Sequence, residues 1–357
     1  MHGSSAWRVA LMTLACGLVP ALSGCSAGYL FHLGIGQARI LWDREPVRKV
    51  LENGCLAAPQ KAKLELVLEA KEFGEGRLGL TPSKNYTYYV QVRAPAVAYN
   101  LTACPALDLE PHQWCFPIAG CLPYKGYFDR DRGLAEMKRM QEEGYDTYLR
   151  SVAGYSTLGW FVDPVFSTML RHDETELVEI VLHEMVHRTV FLKDQGAFNE
   201  GLATFLGERG TRAFFLERGG EGRKGLQRIE AGGQDQERFQ SALHALAERL
   251  RELYGSSLSE PEKRREKERI FEEARSSFRG QLSEFHRPGY ARVLERTWNN
   301  AFVASFLTYH QDLGIFEALL ERLGGDLNAF IERMKALQQD EEKDPHGRIR
   351  KWIEGHA

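Results

Sequence analysis

One helical stretch, residues 176–191, constrains this chain more than any other part of its sequence. Most of its residues are apolar, which predicts a helix that is buried on nearly every side. Within it, His183, Glu184 and His187 form the pattern H-E-x-x-H. On a helix the two histidines lie one turn apart on the same face, where both imidazoles can bind one zinc ion. Glu184 lies beside them, where its carboxylate can take a proton from a metal-bound water.

A zinc site of this kind needs a third protein ligand. Residues 193–197 have the composition of a tight turn, and Asn199 after them predicts the N-cap of a second helix. Glu200 would lie in the first turn of that helix, which returns it to the two histidines. Thr204, one turn later, is a candidate to orient a liganding histidine. An incidental H-E-x-x-H stripe on an exposed helix is the alternative, but buried His and Glu side chains require a partner.

Several segments resemble a bacterial lipoprotein family of predicted aminopeptidases, which belongs to the glutamate-zincin class. The segments are residues 114–121, 155–161, 182–191, 197–207 and 298–301. The resemblance implies a zinc-dependent peptidase in which His183, His187 and Glu200 bind Zn²⁺ and Glu184 is the general base. Only twelve residues separate His187 from Glu200, fewer than in thermolysin-like enzymes. Glu208 is therefore an alternative third ligand, and we favour Glu200.

The same resemblance predicts residues on either side of the metal helix. Zincins have an edge strand upstream of that helix, and strand addition is a common way to bind an extended peptide. In this position Gly159 would allow close approach of a peptide backbone, and Trp160 would line a side-chain pocket or belong to the core. Downstream, Tyr309 is predicted to stabilise the oxyanion of the reaction. The alternatives for that role are His310 and Tyr290.

The N-terminus has the pattern of an export signal. A weakly basic start precedes an apolar stretch, and small residues stand directly before Cys25. Because this resembles a bacterial lipobox, residues 1–24 are predicted to be a lipoprotein signal peptide and Cys25 to be lipidated. Residues 25–45 would then be a lipid-anchored tether. Ser26 follows the cysteine, which favours the outer membrane, facing the periplasm, within the cell envelope. An ordinary signal peptide with an incidental cysteine is the alternative.

Four cysteines remain downstream of Cys25. An even number in an exported chain suggests disulfides. Cys115 and Cys121 are close in sequence and are predicted to pair, which leaves Cys55 and Cys104 to pair by elimination. Free, buried thiols are the alternative.

Residues 46–357 are predicted to form one α+β domain with a zincin-like metallopeptidase core. That core would place a mixed sheet beside the H-E-x-x-H helix, with strands at 86–92, 96–101, 114–127 and 145–152. Residues 208–290 would add a helical hairpin that projects from the core. The net charge of −3 gives no indication of nucleic acid as a partner.

The sequence therefore predicts a zinc-dependent peptidase that acts on a peptide substrate and is attached to a membrane through Cys25. The term aminopeptidase comes from the resemblance alone. Two alternatives stay open: a lipid-anchored envelope scaffold with a structural or vestigial zinc site, and an amidase of cell-wall peptides. Structural zinc is usually held by four protein ligands, so three ligands and an adjacent carboxylate favour catalysis.

Overall fold

The structure is a computed structural model that describes residues 26–54, 56–116, 120–155, 161–307, 313–340 and 342–355. The described residues divide into two compact units, one that ends at Arg44 and one that begins at Glu45. In the first unit, helix α1 covers Ser26–Trp42, so most of the segment predicted to be a tether is helical. Cys25 lies outside the described residues. In the described part of the chain, no helix has both the length and the apolar character that a membrane crossing requires.

The elements that follow α1 are short strands and a few helices. They are β1 (Arg44–Pro46), α2 (Val47–Glu52), α3 (Ala58–Gly76), β2 (Tyr88–Val90), β3 (Ala98–Pro105), β4 (Trp114–Phe116), β5 (Gly120–Leu122), β6 (Lys125–Tyr127), α4 (Arg130–Glu142), β7 (Tyr145–Val152) and β8 (Val165–Phe166). These strands form small sheets in the orders β1-β2-β8, β6-β3-β7 and β4-β5. Strands β2 and β8 are parallel, whereas β3 is antiparallel to both of its neighbours. The strand predicted over 145–152 has those bounds, but the one predicted over 114–127 is divided into three.

The rest of the chain is helical. Its elements are α5 (Glu174–Thr189), α6 (Gly196–Glu217), α7 (Arg223–Gly255), α8 (Glu260–Gln281), a 3-10 segment (Pro288–Glu295), α9 (Asn300–Leu307), α10 (Leu313–Arg322), α11 (Leu327–Gln339) and α12 (Pro345–Glu354). Aromatic rings join α6 to α10 and α11: Phe205 lies 5.6 Å from Phe316 and 5.4 Å from Phe330. These contacts pack one face of α6 against α10 and α11, and α6 also packs against α5.

Helices α5 and α6 form the centre of the second unit, and we call residues 174–217 the metal hairpin. Asp173 caps α5 by accepting hydrogen bonds from the backbone N–H groups of Thr175 and Glu176. Behind α5, α3 approaches so closely that a Cβ on Gly74 would lie 2.8 Å from Met185 Cε. A side chain at position 74 would therefore require the end of the Met185 side chain to move.

Residues 223–307 form a second helical region, which we call the pocket layer. The predicted hairpin began at 208, whereas the helices of this layer begin at 223. Helix α6 continues to Glu217, and α7 runs through Gly232 without interruption. A Cβ on Gly232 would lie 2.3 Å from the nearest guanidinium nitrogen of Arg287, so a larger residue there would displace that side chain. The layer does not project as a solvated arm, because its helices share a buried core with Tyr148 of β7.

The cysteines differ from one another in their surroundings. Cys115 and Cys121 face each other across β4 and β5 and are joined by a disulfide. Cys104 is a free thiol that is fully buried in the core of the pocket layer, with Sγ 3.8 Å from the carbonyl oxygen of Leu109. The pairing of Cys104 with Cys55 is therefore wrong, because β3 directs Cys104 into an apolar core. Cys55 itself lies outside the described residues.

Candidate metal centre

His183, His187 and Glu200 converge at the contact between α5 and α6. The Nε2 atoms of the two histidines are 3.1 Å apart, and Glu200 Oε2 lies 3.5 Å from His183 Nε2 and 3.6 Å from His187 Nε2. Bonds of about 2.0–2.1 Å to a tetrahedral zinc ion would separate ligand atoms by roughly 3.3 Å. The three observed separations lie close to that value, so the donor atoms fit one ion.

Among the described residues, only these three form a cluster of His, Cys, Asp and Glu side chains with metal-binding geometry. Two imidazole nitrogens and one carboxylate oxygen make a mixed donor set, whereas Mg²⁺ and Ca²⁺ sites are built from oxygen ligands. Glu208 is not in the cluster, and its Oε1 accepts a hydrogen bond of 2.7 Å from Gln236. The geometry therefore favours Glu200 over Glu208 as the third ligand.

Asn199 positions Glu200, but not as a helix cap. Helix α6 begins at Gly196, so the prediction that Asn199 is its N-cap is wrong. Asn199 is 2% exposed, and its side chain forms two hydrogen bonds with the backbone of Leu192, at 2.9 and 2.7 Å. The amide thus clamps the turn between the helices. This clamp allows the helix to start earlier while Glu200 still returns to the histidines.

The electrostatics of the cluster favour a charged Glu200. Burial by itself raises the pKa of Glu200, but its hydrogen bonds to His183 and His187 outweigh burial and hold that pKa well below its usual range. Burial likewise lowers the pKa of His187, and the Glu200 carboxylate reverses that effect and raises it. Glu200 is therefore held as a carboxylate, which is the form that binds a metal ion.

The outer support of the histidines is incomplete. His187 is 7% exposed, and its Nδ1 has no hydrogen-bond partner within the described ranges. Thr204 is buried one turn after Glu200, yet it does not bond to that nitrogen. The prediction that Thr204 orients a ligand is therefore not met at His187.

Tyr86 is a neighbour of Glu184 that sequence reasoning missed. It is 2% exposed and has a φ of 63°, which is rare for an aromatic residue and costs about 1–3 kcal/mol. Its N–H donates to the carbonyl oxygen of Asp163 at 2.7 Å, and the side chains of Asn85 and Asp163 are also hydrogen-bonded. Burial raises the pKa of Tyr86, and the nearby charges of Glu184 and Asp163 raise it further.

The loop that carries Tyr86 is attached to the end of the metal helix. The N–H of Thr81 donates to Thr189 Oγ1 at 3.0 Å, and Thr189 Oγ1 donates to the carbonyl oxygen of Met185 at 2.8 Å. The loop therefore crosses the last turn of α5 before it reaches Tyr86. No motif marks Tyr86 in the sequence, since its place depends on contacts with residues far along the chain.

A pair of carboxylates, Glu179 and Glu208, lies further along the groove between α5 and α6. Burial, and then the charge of Glu208, raise the pKa of Glu179 to about 8. The helices approach closely here because Gly207 has no side chain. A Cβ at this position would lie only 3.3 Å from the Cβ of His183. On α5, Glu179 is the first acidic residue that precedes His183.

The sequence also predicted five further residues at the site. Gly159, Trp160, Tyr309 and His310 are outside the described residues. Tyr290 is described, and its ring packs 5.4 Å from Phe239 in the pocket layer. The roles predicted for these residues stay predictions.

A comparison with protein families gives the clearest relationship. A family model described as "Putative aminopeptidase" matches residues 28–348 of the 357-residue chain. The chain belongs to this Aminopep family. Membership in the Aminopep family confirms the aminopeptidase part of the predicted family, whereas its lipoprotein and glutamate-zincin parts stay predictions. The match includes the metal hairpin and the pocket layer. Neither a curated protein nor a solved structure matches the chain.

Proposed function

We propose that this chain is a zinc-dependent peptidase, and within that class an aminopeptidase. The observation that carries the proposal is the set of three convergent ligands, with Glu184 next to the first of them on the same helix. A structural site would need a fourth protein ligand, and a catalytic site leaves that position open. Membership in the Aminopep family supports peptide hydrolysis as the reaction.

His183, His187 and Glu200 would hold the ion. Zinc in such a site supplies a Lewis acid and a bound water of lowered pKa. The side chains of this protein perform the remaining tasks. Glu184 takes a proton from the attacking water and later delivers it to the leaving amine. Burial raises the pKa of Glu184, and the histidines oppose that effect. A higher pKa makes this carboxylate a better proton acceptor.

Tyr86 would stabilise the charge that develops on the substrate's carbonyl oxygen. Its hydroxyl stays protonated because burial and the two neighbouring carboxylates disfavour ionisation. The left-handed backbone of Tyr86 is held by Asp163, so its position does not depend on substrate. A donor that is fixed in advance is the most effective kind of oxyanion stabilisation.

We also propose a zincin-like core and a lipid anchor. The α5–α6 hairpin, with α3 behind it and small sheets in the same unit, supports the first. The cysteine pattern at Cys25 supports the second and would place the enzyme at the outer membrane facing the periplasm.

The test compares the purified full-length wild type with Glu184→Gln. Bound zinc is quantified in both, and each is incubated with peptides that have free or blocked N-termini. We expect equal zinc and a rate about 10²–10⁴-fold lower for the variant. Glu332→Gln, on an exposed side chain of α11, is the matched control and keeps full activity.

The outcomes separate the alternatives. Cleavage restricted to free N-termini supports an aminopeptidase, and cleavage of blocked peptides supports an endopeptidase. Wild-type protein that binds zinc and cleaves no peptide would favour a scaffold, and protein that binds no zinc would contradict the proposal.

A further inference from the structure

A cavity of about 440 Å³ lies between α7, the 3-10 segment and α9, with the start of α5 at one end. Sites for small ligands typically measure about 300–1,000 Å³, so this cavity is large enough for one bulky side chain. Most of its wall is apolar. The large apolar side chains of the wall are Phe239, Leu243, Tyr290, Val293, Phe306 and Leu307.

The polar part of the wall favours an uncharged occupant. Four titratable residues line the cavity: Asp173, Glu176, His244 and Arg287. Arg287 forms an ion pair of 3.2 Å with Glu176, and the Asp173 carboxylate accepts hydrogen bonds from the backbone at the start of α5, so these groups are already bonded within the protein. Gln240 also lines it, and its buried Nε2 has no hydrogen-bond partner among the residues that the structure describes. A ligand with an apolar body and a hydrogen-bond acceptor would satisfy that amide.

The cavity and the metal ligands share the same two helices. Glu176 lies seven residues before His183 on α5, which is about 10 Å along the axis. On the second helix, Glu208 accepts a hydrogen bond from Gln236, which lines the cavity, and Gly207 packs against His183. An extended peptide covers about 10 Å with three residues. A peptide whose scissile bond is at the metal ligands can therefore reach the cavity.

We infer that this cavity is a substrate subsite that binds a large, uncharged side chain, such as Leu, Phe or Tyr, within three residues of the scissile bond. The inference rests on the proposed peptidase function. Discrimination would come chiefly from the apolar wall, which favours a bulky side chain, because the Arg287–Glu176 pair and the capping carboxylate of Asp173 are already bonded within the protein.

Gly289 provides a way to fill the cavity. It lines the wall, and a Cβ at this position would have no other atom within 4 Å, so a larger residue can be accommodated. Gly280 on α8 is also exposed and equally unobstructed, but it does not line the cavity. Gly289→Trp is therefore the test variant, and Gly280→Trp is its matched control.

Two measurements are made on each full-length protein. The first is kcat/KM for peptides that carry Phe, Leu, Ala, Lys or Asp at each of three positions on either side of the scissile bond. The second is the Kd of the same peptides for the metal-free protein, by calorimetry, which needs no activity. In the wild type we expect a preference for Phe and Leu at one position. Gly289→Trp should reduce that preference about 10–200-fold in both measurements, and Gly280→Trp should leave it unchanged.

A second variant covers the case in which Gly289→Trp does not fold. Gln240→Glu adds a carboxylate to the wall, and it should weaken binding of the Phe peptide and improve that of the Lys peptide. If peptides with Phe and Ala bind equally, or if both glycine variants behave alike, the inference is wrong even when the wild type is an active peptidase. If the Phe peptide binds through this cavity but nothing is cleaved, the inference holds and the proposed function fails.

Discussion

The metal hairpin and the pocket layer are built in different ways. In the metal hairpin, all three ligands lie between His183 and Glu200, and a turn clamped by its own Asn199 brings them together. In the pocket layer, Lys267 of α8 reaches Asp146 of β7, which lies 121 residues away in the chain. The first site is therefore a local structure that its own segment organises. The second exists only when distant segments pack.

The sharpest way to break this comparison is to remove the long-range ion pair. Lys267 is 5% exposed, and its Nζ donates to Asp146 Oδ2 at 2.6 Å and to the carbonyl oxygen of Ala106 at 2.9 Å. Lys267→Met leaves the partly buried Asp146 carboxylate with the backbone N–H of Asn300 but without its cation, so we expect a loss of up to about 3–5 kcal/mol in unfolding free energy. Urea denaturation measures it.

Arg264→Met on the same helix is the control, since its exposed pair with Glu260 contributes about 0.3–0.5 kcal/mol. Below the melting temperature, the zinc affinity of Lys267→Met should equal that of the wild type. A parallel loss of zinc affinity would show that the two regions are not independent.

Tyr86→Phe tests whether a distant loop completes the metal hairpin. Loss of one fixed oxyanion donor lowers kcat by about 10²–10³-fold. We expect that loss with zinc content and melting temperature unchanged, and weaker binding of a phosphonate transition-state analogue. Tyr89→Phe is the control, because that hydroxyl donates to Gln91 Oε1 at 2.7 Å, two residues further along the chain. Equal rates for the two variants would exclude the role of Tyr86.

Asn199→Ala tests whether the clamp of the turn is what makes the metal hairpin local. Two buried backbone groups of Leu192 lose their partner, which costs about 1–3 kcal/mol in unfolding free energy. Zinc affinity should fall in parallel, because Glu200 is then less well positioned. Asn199→Asp keeps the acceptor and should lose roughly half as much. An unchanged zinc affinity would mean that the hairpin contacts alone position Glu200.

The smallest effect concerns pH. Glu179 has an ordinary pKa of 4.5 when unfolded and about 8 when folded, so the folded state binds its proton more tightly. The stability of the metal-free protein should therefore fall as pH rises from about 4.5 to about 8. Glu179→Gln should be more stable than the wild type by roughly 1–2 kcal/mol at pH 9, and no more stable at pH 4. Thermal unfolding at both values measures it, and a difference that does not change with pH would contradict it.

Sequence reasoning succeeded where the structure depends on near neighbours. The apolar period of α5 and the spacing of His183 and His187 are properties of a single helix. Glu200 follows on the next helix, after the short loop that joins the two. It failed where a local signal competes with packing. Asn199 is a good N-cap by type, but the backbone of Leu192 takes its side chain. Gly232 is a helix breaker by type, but it lies inside α7, where the guanidinium of Arg287 occupies the space beside it.

The sequence by itself determined that His183 and His187 lie on one helix face with Glu184 next to the first of them, because 3.6 residues per turn places side chains four apart on one face whatever surrounds the helix. Only the tertiary structure decided that Cys104 is a buried free thiol, that Tyr86 lies beside Glu184, and that a cavity adjoins the metal hairpin. Each of these depends on segments separated by tens of residues or more. Such contacts form when the whole core packs, and no short pattern in the chain encodes them.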